Sequence, residues 1–144
     1  MSTVVRPRGA GHASTSAIDR RLAAARSRLV RVAPEDLALV QAAGALVVDI
    51  RPASDRAVDG ELPGAVAVER IHLEWRLDPT CPDRLPEATP GRVVVVVCNE
   101  GYASSLAAAD LRSLGVVGAT DLVGGFRAWR AAVSRARPGR CLAG

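Results

Sequence analysis

The chain has 144 residues, of which 49% are apolar and 24% charged, and this composition predicts a globular domain with one core. It excludes a wholly disordered chain, a collagen-like repeat and a disulfide-dense scaffold. The formal net charge is +4, but all nineteen basic residues are arginines and only four aromatic residues accompany them. Nucleic-acid binding is therefore not favoured, because it calls for a basic cluster interleaved with aromatic side chains.

Two further features bear on the compartment. The longest unbroken apolar run, Val93–Cys98, is far shorter than the ~20 residues of a membrane span. The first residues are rich in arginine, proline and glycine, and no apolar stretch of the secretory type follows them. We therefore expect a cytoplasmic protein without a membrane anchor.

The chain begins with a segment, residues 1–15, whose composition predicts a flexible lead-in. Ser16 and Asp19 then form a capping pattern ahead of apolar residues at helical spacing, which predicts an amphipathic helical extension over residues 16–32. Its other face carries arginines: Arg20, Arg21, Arg26, Arg28 and Arg31. This pattern favours a helix that lies on the core with a solvated basic face, rather than a membrane or partner helix.

The next segments alternate between helical and extended patterns. In chain order we predict a helix over Pro34–Ala43, a strand over Leu46–Ile50, a short strand over Ala65–Val68 and a brief helix over Arg70–Leu77. Asp59-Gly60 and Pro63-Gly64 predict turns between the two strands. Four prolines predict a loop over Asp78–Gly91.

The most informative segment is Val93–Val97, a run of five valines without alternation. Such a run is typical of a parallel strand that is covered on both faces. A helix over Ser105–Leu114, a strand over Ala119–Val123 and a helix over Phe126–Val133 complete the pattern. Strands that alternate with helices predict an α/β fold with a central, mainly parallel sheet flanked by helices.

Cys98 ends the valine strand, where ligand sites in open α/β sheets lie. A small-residue loop with Gly101 and the start of a helix follow it. If this loop curls, its backbone amides and the helix N-terminus point at the sulfur and stabilise a thiolate or a persulfide. The alternative is a buried structural cysteine, and spacing alone leaves both open. Cys81 and Cys141 are expected to be free thiols without a role, and no cysteine spacing indicates a metal site.

Four segments in chain order resemble motifs of the rhodanese-like sulfurtransferase family. They are Leu46–Arg51, Gly60–Ala65, Val93–Ser104 and Leu122–Trp129. The resemblance covers residues 33–134 and implies a single rhodanese-like domain with a central parallel sheet between helices. Residues 135–144 are then expected to form a flexible tail.

The resemblance also implies a chemistry. Cys98 would be the catalytic nucleophile, which accepts sulfane sulfur as a persulfide and passes it on without a cofactor or a metal. Its partners would be a small-molecule or protein sulfur donor and a thiophilic acceptor. The residues implied to form the substrate-binding loop are Asn99, Glu100, Gly101, Tyr102, Ala103 and Ser104. Asp49 and Arg51 are expected to support this loop through charge-assisted hydrogen bonds.

The chain departs from the family pattern at the loop. Ala103 stands where an arginine is frequent, and Glu100 introduces an acid. A carboxylate beside a thiolate disfavours the thiolate and repels an anionic donor, which predicts weak use of thiosulfate or another donor. A cysteine phosphatase is not favoured, because the sixth position after Cys98 is Ser104 rather than arginine. A non-catalytic rhodanese-like binding module stays open. His12 and His72 match no motif and offer no general base.

Overall fold

A four-stranded parallel sheet organises the chain in the computed structural model, which describes residues 15–136. The strands are β1 (Leu46–Asp49), β2 (Val66–Ala67), β3 (Val94–Val97) and β4 (Ala119–Asp121). Their spatial order is β2-β1-β3-β4, and every neighbouring pair is parallel. The two central strands, β1 and β3, are buried along their whole length, as their unbroken apolar sequences predict.

Six helices surround this sheet in the described part of the chain. They are α1 (Ala17–Ser27), α2 (Leu37–Ala42), α3 (Ala53–Asp59), α4 (Leu73–Leu77), α5 (Ala103–Ser113) and α6 (Gly125–Arg135). Short 3-10 turns, Pro34–Asp36 and Arg70–His72, precede α2 and α4. The predicted α/β class with a parallel sheet is confirmed. None of the described helices is long and apolar enough to cross a membrane.

Each face of the sheet has its own core. Val48 and Val96 point to one side and pack with Leu111 of α5, in a cluster that also contains Leu73 of α4. The residues that alternate with them along β1 and β3 pack on the opposite side, in a cluster of Leu37, Val47, Leu62, Val95, Val97, Leu122 and Phe126. The two-residue period of the strands therefore divides the valine run between both layers.

The structure differs from the sequence predictions at several boundaries. Helix α3 was not predicted, and the second strand is confined to Val66–Ala67. Helix α5 begins at Ala103 rather than Ser105. Residues 78–91 contain neither helix nor strand, as their prolines predict, and Leu85 and Ala88 fasten this loop to the core.

The amphipathic extension lies on the core as predicted, but its helix ends at Ser27 instead of continuing to residue 32. Ser16 caps α1 by accepting the backbone N–H of Asp19 at 3.1 Å, and α1 packs against α5 with Leu22 and Ala25 buried. The chain then runs beside β4, where Val32 forms a parallel bridge with Leu122. Residues 1–14 and 137–144, and with them nearly all of the predicted lead-in and tail, lie outside the described residues.

Candidate active site

Cys98 directly follows β3, and the next residues curl around its thiol. The backbone N–H of Gly101 donates to Cys98 Sγ at 3.1 Å, and that of Ser104 donates at 3.3 Å. Gly101 has φ +88°, the left-handed conformation expected at this bend. Only 7% of Cys98 is exposed, so the sulfur lies at the bottom of a small cradle of backbone amides.

The thiol takes the place of a side-chain cap for α5. Tyr102 is the N-cap residue, but its side chain makes no capping hydrogen bond, and the first-turn N–H of Ser104 points at the sulfur instead. The hydroxyls of Ser104 and Ser105 do not cap this helix, because both donate to Asp121 Oδ2 at 2.7 Å. The positive end of α5 is therefore left for an anionic sulfur.

The N-terminus of α6 holds the first carbonyls of the loop. The N–H of Phe126 donates to the carbonyl of Cys98 at 2.9 Å, and that of Arg127 donates to the carbonyl of Asn99 at 3.1 Å. Gly125 makes this approach possible, because a Cβ there would lie 2.5 Å from the Cys98 carbonyl oxygen. With these carbonyls turned towards α6, the following amides are free to face the thiol.

Two arginines of the N-terminal extension bind the carbonyl of Gly101, further along the loop. Arg26 Nη2 donates to the Gly101 carbonyl at 2.7 Å, and Arg31 Nη2 donates to it at 3.2 Å. Arg26 Nε also donates to Ser105 Oγ at 3.0 Å. Arg31 forms a bidentate pair with Asp121, at 2.8 and 3.1 Å. The prediction of a solvated basic face is therefore wrong for these two residues.

Asp121 is the anion at the centre of this network and is fully buried. It lies at the carboxyl end of β4, beside the end of β3 that carries Cys98. The sequence analysis did not single out Asp121, Arg26 or Arg31. For Asp121, one sequence feature could have indicated a role: it is an acid at the end of a strand that neighbours the strand of the candidate nucleophile.

Arg26 is in a mixed electrostatic environment. Burial lowers the pKa of Arg26 from its ordinary value and the charge of Arg31 lowers it further, whereas Asp121, Tyr102 and Cys98 raise it. Its guanidinium also lies 5.7 Å from the centre of the Tyr102 ring. Since arginine keeps its proton in proteins, Arg26 is a permanent cation bound to the cysteine loop at the Gly101 carbonyl.

Asp49 and Arg51 form a buried pair next to the loop. Arg51 Nη2 donates to Asp49 Oδ2 at 2.8 Å and to the Gly60 carbonyl at 2.9 Å. Its guanidinium lies 3.7 Å from the centre of the Phe126 ring. The expected hydrogen bonds from this pair to residues 99–104 are not observed. Instead, Arg51 donates to Asp49 and to the carbonyl of Gly60 in the turn before β2.

A cavity of about 290 Å³ opens beside the thiol. Its wall consists of Ile50, Arg51, Pro52, Arg70, Cys98, Asn99, Glu100, Tyr102 and Ala103. Two buried atoms of wall residues, Arg51 Nη1 and Asn99 Oδ1, have no hydrogen-bond partner among the described residues. The Glu100 carboxylate lies 3.8 Å from the Arg127 guanidinium and is largely covered. The cavity thus combines one nucleophile with side chains of both charges.

The remaining candidates lie elsewhere. Cys81 is a half-buried free thiol in the proline-rich loop, and His72 is exposed. Cys141 and His12 lie outside the described residues. Within residues 15–136, no three histidine, cysteine or acidic side chains are grouped closely enough to hold a metal ion.

Comparison with known proteins shows to which family the chain belongs. The family model described as "Rhodanese-like domain" matches residues 33–132. The chain belongs to the rhodanese-like domain family. A relative from Pseudomonas fluorescens, "Thiosulfate sulfurtransferase GlpE", is 34% identical over 104 residues, which are 72% of this chain and 87% of the relative. A protein of the same name from Stutzerimonas stutzeri is 33% identical over 100 residues, 69% of this chain and 84% of the relative.

Solved structures show the same rhodanese-like fold. A Rhodopseudomonas palustris protein of unknown function, described as a possible tyrosine phosphatase, is 30% identical with a TM-score of 0.73. The match covers 86% of this chain, more than the rhodanese-like segment, and 96% of that protein. The human single-domain sulfurtransferase TSTD1 is 27% identical with a TM-score of 0.55, over 70% of this chain and 95% of the human one.

Proposed function

We propose that this protein is a sulfurtransferase in which Cys98 carries the transferred sulfur as a persulfide. One observation carries the proposal: Cys98 Sγ accepts two backbone N–H groups at the bottom of a cavity that reaches the sulfur. Backbone donors aimed at a sulfur stabilise negative charge on it. Membership of the rhodanese-like family and relatives named thiosulfate sulfurtransferase support the same chemistry.

The first half-reaction loads the cysteine. The Cys98 thiolate attacks the outer, sulfane sulfur of a donor such as thiosulfate. A new bond forms between Sγ and that sulfur, while the bond from the sulfane sulfur to the rest of the donor breaks. The leaving group takes the bonding electron pair, as sulfite when thiosulfate is the donor. The cradle amides then face a persulfide anion, whose charge they stabilise as they stabilised the thiolate.

The second half-reaction unloads the cysteine. A thiophilic acceptor, for which cyanide is the simplest probe, attacks the terminal sulfur of the persulfide. The bond between the two sulfurs breaks, its electron pair returns to Sγ, and the thiolate is restored. The two steps need neither an external oxidant nor a reductant, since the donor's sulfane sulfur is transferred at its original oxidation level. No histidine base is required once the thiolate is present.

The cavity wall indicates which donors fit. Glu100 places a carboxylate on this wall, partly offset by Arg127 at 3.8 Å, and the wall also contains Arg70 and Arg51, of which Arg51 is paired with Asp49. Arg70 also pairs with Glu74 and Asp110, which reduces its hold on an anion. We infer that a dianionic donor is bound weakly and that a less charged donor, such as an alkyl or protein persulfide, is preferred.

Two other functions compete with this one. A phosphatase needs a loop guanidinium that grips phosphate, and Ser104 occupies the corresponding position. Arg26 does not replace that guanidinium, because it is bonded to the carbonyl of Gly101 and is not part of the cavity wall. The possible phosphatase activity suggested for the Rhodopseudomonas palustris protein is therefore not proposed here. A non-catalytic binding module would have the same fold but would not catalyse sulfur transfer.

We also propose a cytoplasmic location, where cysteines stay reduced. The free thiols of Cys81 and Cys98 are consistent with such a compartment. The proposed sulfurtransferase activity does not depend on this location.

Turnover distinguishes the sulfurtransferase from the binding module. We expect the purified protein to form thiocyanate from cyanide with thiosulfate or cysteamine persulfide as donor, and the persulfide, whose ammonium offsets its ionised sulfur, to be the better substrate. Cys98→Ser should abolish the reaction, whereas Cys81→Ser, a matched control at the other described cysteine, should leave it unchanged. A folded wild-type protein without turnover from either donor would favour the binding module.

A further inference from the structure

The cysteine loop supplies no cation of its own. Residues 99–104 include one anionic side chain, Glu100, and no basic one. The charged side chains that hold the Gly101 carbonyl and the first serines of α5 are Arg26, Arg31 and Asp121, which together carry one net positive charge. Both arginines come from residues 16–32, the extension that precedes the family's matched segment of residues 33–132. The positive charge behind the cradle is therefore a property of the extension.

The same arginines determine how one loop peptide is oriented. Both donate to the carbonyl of Gly101, the residue whose own N–H donates to the thiol. In a trans peptide the N–H points opposite to the C=O, so the N–H of Tyr102 points away from the arginines. If the peptide between Gly101 and Tyr102 rotated, a carbonyl oxygen would lie where the N–H of Tyr102 now lies. Such an oxygen would repel a thiolate or a persulfide.

The arginines are fixed to the rest of the fold through Asp121. Asp121 is fully buried and accepts hydrogen bonds from Arg31, Ser104 and Ser105. Arg26 is tied to the network through Ser105 Oγ at 3.0 Å. The extension is thus joined to the first turn of α5 and to the end of β4 by partly buried, charge-assisted hydrogen bonds, which are stronger than neutral ones.

We propose that the N-terminal extension is part of the sulfur-transfer site, and that Arg26 is a positioning residue that holds the Gly101 peptide and supplies the cation stabilising anionic sulfur on Cys98. This inference rests on the proposed function and deepens it. Arg31 anchors the same carbonyl and neutralises Asp121. A chain reduced to the rhodanese-like segment would keep the cysteine and lose the charge behind it.

The test measures how fast iodoacetamide alkylates Cys98 at pH 7 in four folded proteins. They are the wild type, Arg26→Met, Arg26→Lys and Arg21→Met, each in a Cys81→Ser, Cys141→Ser background. Arg21 is an exposed arginine of the same helix, so its replacement removes the same charge away from the loop. Arg26→Gln replaces Arg26→Met if the latter does not fold. Sulfur loading from a persulfide donor is measured in parallel.

We expect Arg26→Met to slow alkylation about tenfold, because the thiolate is the species that reacts and loss of a nearby cation disfavours it. Arg26→Lys should recover most of the rate, and Arg21→Met should match the wild type. The second-order rate of sulfur loading should fall in parallel in Arg26→Met.

Three results would overturn the inference. They are wild-type alkylation in Arg26→Met, equal slowing in Arg26→Lys, which would indicate packing rather than charge, and equal slowing in Arg21→Met. Alkylation needs no sulfur donor, so it reports on Arg26 even if the wild type transfers no sulfur. Failure of the proposed function would instead appear as absent loading in a wild type whose alkylation still depends on Arg26.

Discussion

Breaking the buried ion pair of Asp49 and Arg51 should destabilise the protein strongly. Their side chains are 2% and 0% exposed and join at 2.8 Å, so solvent screens neither charge. Removing one partner of such a pair costs about 3–5 kcal/mol, because the other charge is left buried. Arg51→Met also loses the hydrogen bond to Gly60 and the stack on Phe126. A cost of about 4 kcal/mol is a large part of the ~5–15 kcal/mol of a typical domain.

The assay is urea unfolding followed by circular dichroism for Arg51→Met, Asp49→Asn and the double variant. We expect each single change to lower the free energy of unfolding by about 3–5 kcal/mol. The double variant should cost about 2 kcal/mol less than the sum, since it leaves no unpaired charge. The control is Arg135→Met in an exposed pair with Glu35, which should cost below ~1 kcal/mol. Single changes below ~1 kcal/mol that add in the double variant would refute this reasoning.

Three further predictions follow from the site and the proline-rich loop. Glu100→Gln should lower KM for thiosulfate severalfold by removing a carboxylate from the cavity wall, and an unchanged or higher KM would contradict this. Gly125→Ala should lower the free energy of unfolding by more than ~1 kcal/mol in urea, because its Cβ would lie 2.5 Å from the Cys98 carbonyl oxygen and its φ is +67°. The backbone N–H and then the hydroxyl of Thr80 lower the pKa of Asp78, so an NMR titration of this carboxyl should have its midpoint below that of an unstructured peptide. Thr80→Val should move that midpoint upwards, and the stability that Asp78 contributes should be lost as the pH falls through its lowered pKa.

The sheet and most helices could be predicted because their patterns are local. Five consecutive valines are typical of a strand covered on both faces, and β3 is such a strand. Helix α3 escaped prediction because Ala53–Asp59 has no buried residue and therefore no apolar stripe. Its helical conformation follows Pro52, and the sequence of seven residues carries too little periodicity to reveal it.

The cradle could be predicted in outline but its supports could not. The position of Cys98 at a strand end and the glycine three residues later are local features. The contacts of Arg26 and Arg31 with Gly101 join residues 75 and 70 positions apart, and nothing in a helical arginine pattern distinguishes these two from their exposed neighbours. The position of Asp49 and Arg51 at a neighbouring strand end predicts hydrogen bonds to the loop, whereas in the structure Arg51 donates to Asp49 instead.

The central claim is that Cys98 becomes a persulfide, and intact mass spectrometry tests it most directly. Wild-type protein, Cys98→Ser and Cys81→Ser are incubated with thiosulfate and, separately, with cysteamine persulfide. We predict a gain of one sulfur atom in the wild type and in Cys81→Ser, larger with the persulfide donor and reversed by cyanide. Cys98→Ser should gain none. No added sulfur in the folded wild type with either donor, or an equal gain in Cys98→Ser, would contradict the account.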